Sequence, residues 1–180
     1  MTLSGFRELD TPWKIWYCEL TMRRELDSEV LERLIIELLR SAPVCVIATC
    51  SHDIPRASTV EFFPLGTTLY IVTEGGTKVQ NILNNPHVSV AIHASFTGWE
   101  SVKGLQITGT AELGKKGSRV FKEGLEAYRN RKGLKRAELP DFMDVVKVTP
   151  SSMEYIDFSL EEKGFNVRQL LKKDNTFHSL

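Results

Sequence analysis

Two spacings of apolar residues alternate along the chain, one falling on every third or fourth position and one on every second. The first runs from Ser28 to Arg40, where Val30, Leu31, Leu34, Ile35, Leu38 and Leu39 share one face of a 3.6-residue period. Asp27 and Ser28 are candidate N-caps, Glu29 and Glu32 lie in the first turns, and Arg40 lies near the end. That charge order complements a helix dipole, so the segment predicts an amphipathic helix packed on the barrel or sheet next in the chain. From Pro43 the period changes: PVCVIATC is short, β-branched and almost continuously apolar, as a buried strand requires.

SHDIP then reads as a turn, ASTVEFFP as a returning strand closed by Pro64 and Gly66, and TTLYIVT as a third strand. Thr77 to Asn84 predicts a short helix, with Thr77 as its cap and Asn85-Pro86 as its stop. HVSVAIHA alternates, placing Val88, Val90 and Ile92 on one face. After the turn-rich FTGWES, VKGLQITGTAEL predicts a long fifth strand whose glycines permit bending. Lys115 to Lys132 reads as a second helix bearing Val120, Phe121, Leu125 and Tyr128. A sixth strand lies within 144–158, interrupted at Pro150. The tail from Ser159 reads as polar and irregular. Six antiparallel strands, short hairpins and few helices predict a mainly β protein, a six-stranded closed or split barrel with flanking helices.

Residues 1–25 read as an N-terminal arm, 26–158 as the barrel domain and 159–180 as a tail of the same domain. Within the arm, Trp13, Trp16, Tyr17 and Leu20 fall at helical spacing, an aromatic stripe suited to covering the core or a subunit partner. The chain has 180 residues, is 42% hydrophobic, and carries 23 basic against 23 acidic residues. That balance argues against a nucleic-acid or anionic-membrane partner, which would call for a basic excess. The N-terminus has no apolar signal core, and no apolar run approaches the ~20 residues that span a bilayer. Cys18, Cys45 and Cys50 form no C-x-x-C pair and read as reduced thiols of a cytoplasmic protein.

The stretch with the most chemistry is Thr73-Glu74-Gly75-Gly76-Thr77-Lys78, at the start of the predicted short helix. A phosphate dianion needs cationic heads, hydroxyls and backbone N–H groups together, and this loop supplies all three. Arg56, opening a neighbouring strand, adds a planar donor fork. The spacing is not that of a Walker A loop. Taken alone, the same residues also describe a solvated turn carrying a surface lysine.

The ordered set Arg56-Ala-Ser-Thr-Val-Glu61, Leu69-Tyr-Ile-Val-Thr73, Thr77-Lys78 with Asn84-Asn85-Pro86, and Gly104–Glu112 resembles the pyridoxamine 5′-phosphate oxidase-like FMN-binding split barrels. The resemblance covers residues 28–158. It implies a Greek-key split barrel, a homodimer with FMN at the subunit interface, and an oxidoreductase acting on a small molecule, with NAD(P)H as a candidate donor. It further implies that Arg56, Thr73 and Lys78 hold the FMN phosphate. Val72 lies beside them, and Thr77 occupies a position where the oxidases often carry another basic residue. Ser58, Thr59 and Val60 would run along the isoalloxazine edge, and Gln106 would stand in for a flavin-contacting glutamine that aligns with Gly104.

Three departures set the chain apart from the true oxidases. Glu61 stands where their strand ends in a substrate-contacting lysine, Gly104 replaces their glutamine, and FNVRQLLKKD lacks their arginine- and histidine-bearing substrate motif. The resemblance therefore implies an FMN-binding relative of different specificity. The alternatives are a non-catalytic flavin- or haem-binding module, or an interaction barrel without cofactor. Cys50 with His52, and His87 with His93, show no metal-ligand spacing, and no nucleophile motif is present. The basic cluster Lys115, Lys116, Arg119, Lys122, Arg129, Arg131, Lys132, Lys135 and Arg136 reads as mostly a solvated helix face, or as a site for a nicotinamide donor's phosphate or an acidic partner.

Overall fold

A computed structural model describes residues 23–173. The aromatic stripe of the arm and Cys18 lie outside the described residues. Helix α1 (Ser28–Ser41) starts at Asp27, whose carboxylate accepts from the Glu29 N–H at 2.9 Å, and it buries Leu31, Ile35, Leu38 and Leu39. Its apolar face lies on a sheet of eight strands rather than six. These are β1 (Val44–Ser51), β2 (Ile54–Glu61), β3 (Phe63–Leu65), β4 (Thr68–Thr73), β5 (His87–His93), β6 (Lys103–Gly114), β7 (Asp144–Asp157) and β8 (Arg168–Lys172). Two further helices, α2 (Thr77–Asn84) and α3 (Arg119–Lys132), fill the β4–β5 and β6–β7 connections.

The strands run in the order β2-β1-β5-β6-β7-β4-β3, every pairing antiparallel, with β8 added to β7. Strand β7 is long enough to serve three neighbours. It pairs with β6 along its length, with β4 over Asp144–Val148, and with β8 over Ser152–Ile156. The sheet curls until β2 contacts β4 without pairing, which leaves the barrel split between them.

The two extra strands have physical causes. The segment expected as one strand, ASTVEFFP, breaks at Phe62, and Phe62 and Phe63 are both buried. Neighbours on one straight strand would face opposite sides. Here each side has its own core: Phe62 joins the cluster inside the barrel, and Phe63 joins a second cluster beneath α3. The tail expected to be irregular instead forms a short 3-10 turn (Phe158–Lys163) and β8. Gln169 and Leu171 point inward from β8. The Gln169 side chain accepts from the Leu26 N–H at 2.9 Å and donates to the Asn166 carbonyl at 2.6 Å. Arg168–Lys172 therefore belong to the barrel sheet. Arg24, in the segment expected as arm, bridges Phe165.

Strand β7 continues through Pro150, because a register shift opposite Thr108 and Gly109 takes up the missing donor. The backbones are close there: a Cβ on Gly109 would sit 2.3 Å from the Thr149 carbonyl oxygen. Helix α3 begins at Arg119 after its Ser118 cap, four residues later than its sequence pattern suggested, and its Gly124 lies against Val145.

Candidate functional site

The β1–β2 ribbon sets the geometry. Its register opposes Thr49 to Arg56, Ile47 to Ser58 and Cys45 to Val60. Directly opposed residues of an antiparallel pair share a face. Arg56, Ser58 and Val60 therefore lie on the face that carries buried Thr49, Ile47 and Cys45, the face on which α2 packs. Strand β2 is the edge of the sheet and is exposed along most of its length, so its outer edge has no partner strand among the described residues.

Helix α2 is fed by the glycine loop that leaves β4. Thr73 is buried, and its hydroxyl accepts from the Gly75 N–H at 3.1 Å. Gly75 and Gly76 adopt φ of +108° and +85°, a region that favours glycine. The helix cap is Gly76 rather than Thr77, with no side-chain cap bond and no acidic residue in the first turn. The first N–H groups of α2 therefore keep their positive end without an internal counter-charge. Half-buried Lys78 turns back so that its ammonium donates to the Gly75 carbonyl at 3.1 Å. A Cβ built on Gly75 or Gly76 would meet nothing within 4 Å, so the space before the helix is open.

Sequence reasoning missed what holds α2 in place. Asn81 is buried, and its side-chain N–H donates to the Thr49 hydroxyl at 3.1 Å. Asn84 donates to the Ser51 hydroxyl at 3.3 Å, and Asn85 to the Cys50 carbonyl at 3.2 Å. Two amides of α2 and that of its C-cap thus grip three consecutive residues of β1. The available signal was three asparagines at i, i+3 and i+4, a residue type disfavoured within helices.

The predicted residues divide into groups. Arg56 and Lys78 share the α2 side of the ribbon, since Lys78 lies one turn before Asn81 and Arg56 opposes Thr49. Thr73 and Thr77 flank the loop between them. Thr59 and Gln106 lie on the other face, in one lateral row through Val46 and Ala91. The Val72 side chain packs with the cluster under α3, which leaves only its backbone beside the loop.

Most of the basic cluster is exposed, as a solvated face requires, but several of its members have specific partners. Arg129 bonds the Ala137 carbonyl, Lys116 pairs with Asp141, and Lys132 pairs with Glu61. Arg131 reaches the Leu39 and Ala42 carbonyls that end α1 and lies over the Phe62 ring. Glu123 receives Tyr70 at 2.8 Å and Lys147 at 2.7 Å. The bonds from Lys147 and Tyr70 hold its carboxyl below the usual range. Burial, and then the bond to Glu123, push the Tyr70 phenol well above its own. Burial also pushes the Cys45 thiol up to about 12, leaving it inert.

An antiparallel sheet curled into a split barrel, with a glycine loop feeding a lysine-bearing helix that packs on β1 and β6, defines a class of small barrel proteins. The model of the pyridoxamine 5′-phosphate oxidase family matches residues 31–157, and the chain belongs to that family. No curated protein matches the chain. Among solved structures, a putative pyridoxamine 5′-phosphate oxidase from Listeria innocua is 25% identical, with a TM-score of 0.57 over 71% of this chain and 98% of that one. General stress protein 26 from Bacillus anthracis str. Sterne is 22% identical, with a TM-score of 0.57 over 79% and 98%. A haem-binding protein from Mycobacterium smegmatis is 15% identical, with a TM-score of 0.61 over 83% and 59%. The last two show the fold alone. Among the described residues, no helix is long and apolar enough to cross a membrane.

Proposed function

We propose that the chain binds FMN and acts as an FMN-dependent oxidoreductase on a small molecule other than pyridoxamine phosphate. The observation that carries this reading is the start of α2, which has no side-chain cap bond, with Lys78 inside it and Arg56 on the same side of the ribbon. The donor set suits a phosphate dianion: a flexible ammonium, a guanidinium fork, the Thr77 hydroxyl and the N–H groups of a glycine-capped helix. The open space at Gly75 and Gly76 leaves room for it.

In this reading Lys78 turns from the Gly75 carbonyl toward the phosphate, and Arg56 closes the other side. The unpaired edge of β2 offers backbone groups from Ser58 to Val60 to the polar rim of the ring. Bound FMN supplies reversible electron transfer at its N5 position. The outward sheet face, with Val44 47% exposed and Val46, Ala48 and Ala91 beside it, suits a second copy of the chain. A homodimer of that form would enclose the ring between subunits, and NAD(P)H is the donor to try first.

Titration of the purified protein with FMN and with riboflavin tests the reading, because riboflavin lacks only the phosphate. Preference for FMN, lost in Lys78→Ala, is the expected result. The same spectrum separates the haem alternative, since haem gives an intense band near 400 nm that flavin lacks.

A further inference from the structure

We propose that Asn81 is a positioning residue for the phosphate site: its bond to Thr49 locks the register of α2 on β1 and so sets Lys78 against Arg56. The inference rests on the phosphate reading of this site given above. Helix α2 has only eight residues, too few to hold itself together without tertiary contacts. Its apolar contribution is small, with Val79 and Ile82 the buried hydrophobic residues. Two side chains leave a short helix able to roll or slide on a sheet, whereas a hydrogen bond between two buried groups fixes one position.

The buried pair is placed where that fixing matters. Thr49 is 2% exposed and Asn81 8% exposed, so neither can turn to water if the bond breaks. Thr49 is also the residue directly opposed to Arg56. One residue is therefore the reference point for both cations, through its backbone pairing for Arg56 and its hydroxyl for α2. Arg56 is set from it across the strand pair, and Lys78 is set from it through one turn of α2. The bonds from Asn84 to Ser51 and from Asn85 to the Cys50 carbonyl continue the same register toward the helix end. An apolar residue at position 81 would have served burial alone at lower risk, so the amide has a use beyond filling space.

This use can be separated from stability. Removing one partner strands the other, but replacing both by apolar groups of similar shape is close to neutral. Asn81→Leu and Thr49→Val should each lower the melting temperature, and the double variant should recover most of it. FMN affinity should nonetheless stay at least about tenfold weaker in the double variant, while riboflavin affinity stays within about twofold of wild type. A stable double variant with the wild-type FMN-to-riboflavin ratio overturns the proposal and leaves the phosphate reading intact. A wild-type protein that does not prefer FMN overturns both. Should the Asn81 variants fail to fold, Asn84→Ala, at an exposed position, carries the test. A drop of about threefold in the same ratio supports the register lock, and an unchanged ratio contradicts it.

Discussion

Thr49 and Arg56 are directly opposed across β1 and β2, and the same Thr49 hydroxyl accepts a 3.1 Å hydrogen bond from Asn81. A strand that reads as ordinary core thereby connects an edge-strand guanidinium to the helix that carries Lys78. The arrangement places two cations on one side of a rigid ribbon without any carboxylate between them in the first turn of α2.

Loss of Lys78 should act on the phosphate alone. A charge-assisted hydrogen bond contributes about 1.5–3 kcal/mol, which is roughly 10–100-fold in affinity. Lys78→Ala is expected to weaken FMN by that factor and to leave riboflavin binding and the melting temperature unchanged, as fluorescence titration and thermal unfolding would report.

Gly124 should not tolerate a side chain. A Cβ there would lie 2.4 Å from a Val145 methyl, where α3 packs on β7. Helix propensity favours alanine by about 1 kcal/mol, but overpacking costs about 1–3 kcal/mol. Gly124→Ala should therefore lower stability in urea, and a raised midpoint would contradict the packing described.

Arg131 joins two helices through its fork. It donates to the Leu39 and Ala42 carbonyls at the end of α1, and its guanidinium lies 5.1 Å from the Phe62 ring centre. Lysine keeps the charge but not the fork, so Arg131→Lys should cost about 1–2 kcal/mol. By contrast, the Glu61–Lys132 pair is solvent-exposed, and a double-mutant cycle should return a coupling under about 1 kcal/mol.

Asp157 should give the fold a pH dependence. Burial raises its carboxyl, but hydrogen bonds from Lys103, Ser159 and Tyr155 outweigh that, and the net shift is downward. A depressed folded value means the contribution is complete above the unfolded value, about 3.9, and is lost as the pH falls through the lower folded value. The urea midpoint should fall between pH 5 and pH 3, and the fall should be shallower in Asp157→Asn.

Much of this architecture is visible in the sequence wherever local pattern and tertiary context agree. The α1 face, the Asp27 cap and the bounds of α2 come from periodicity and capping chemistry. Strand β8 is hidden because one of its inward positions is Gln169, whose partners are backbone groups of Leu26 and Asn166. The break at Phe62 is hidden because a run of apolar residues does not say that two cores exist. The basic cluster is largely the exposed face its sequence suggests, but the partners of Arg131 and Lys132, the carbonyls ending α1 and the Glu61 carboxylate, are hidden because they are distant in sequence. At the site, Arg56 and Lys78 are legible as residue types. Their shared side emerges only from the Thr49 register, and the Asn81 bond that fixes it is a tertiary event.

The most direct measurement is the FMN-to-riboflavin affinity ratio of the wild-type protein. Two charge-assisted contacts at about 1.5–3 kcal/mol each predict FMN bound at least about 100-fold more tightly. Equal affinity for the two flavins, or binding of neither, would contradict a phosphate site at the start of α2.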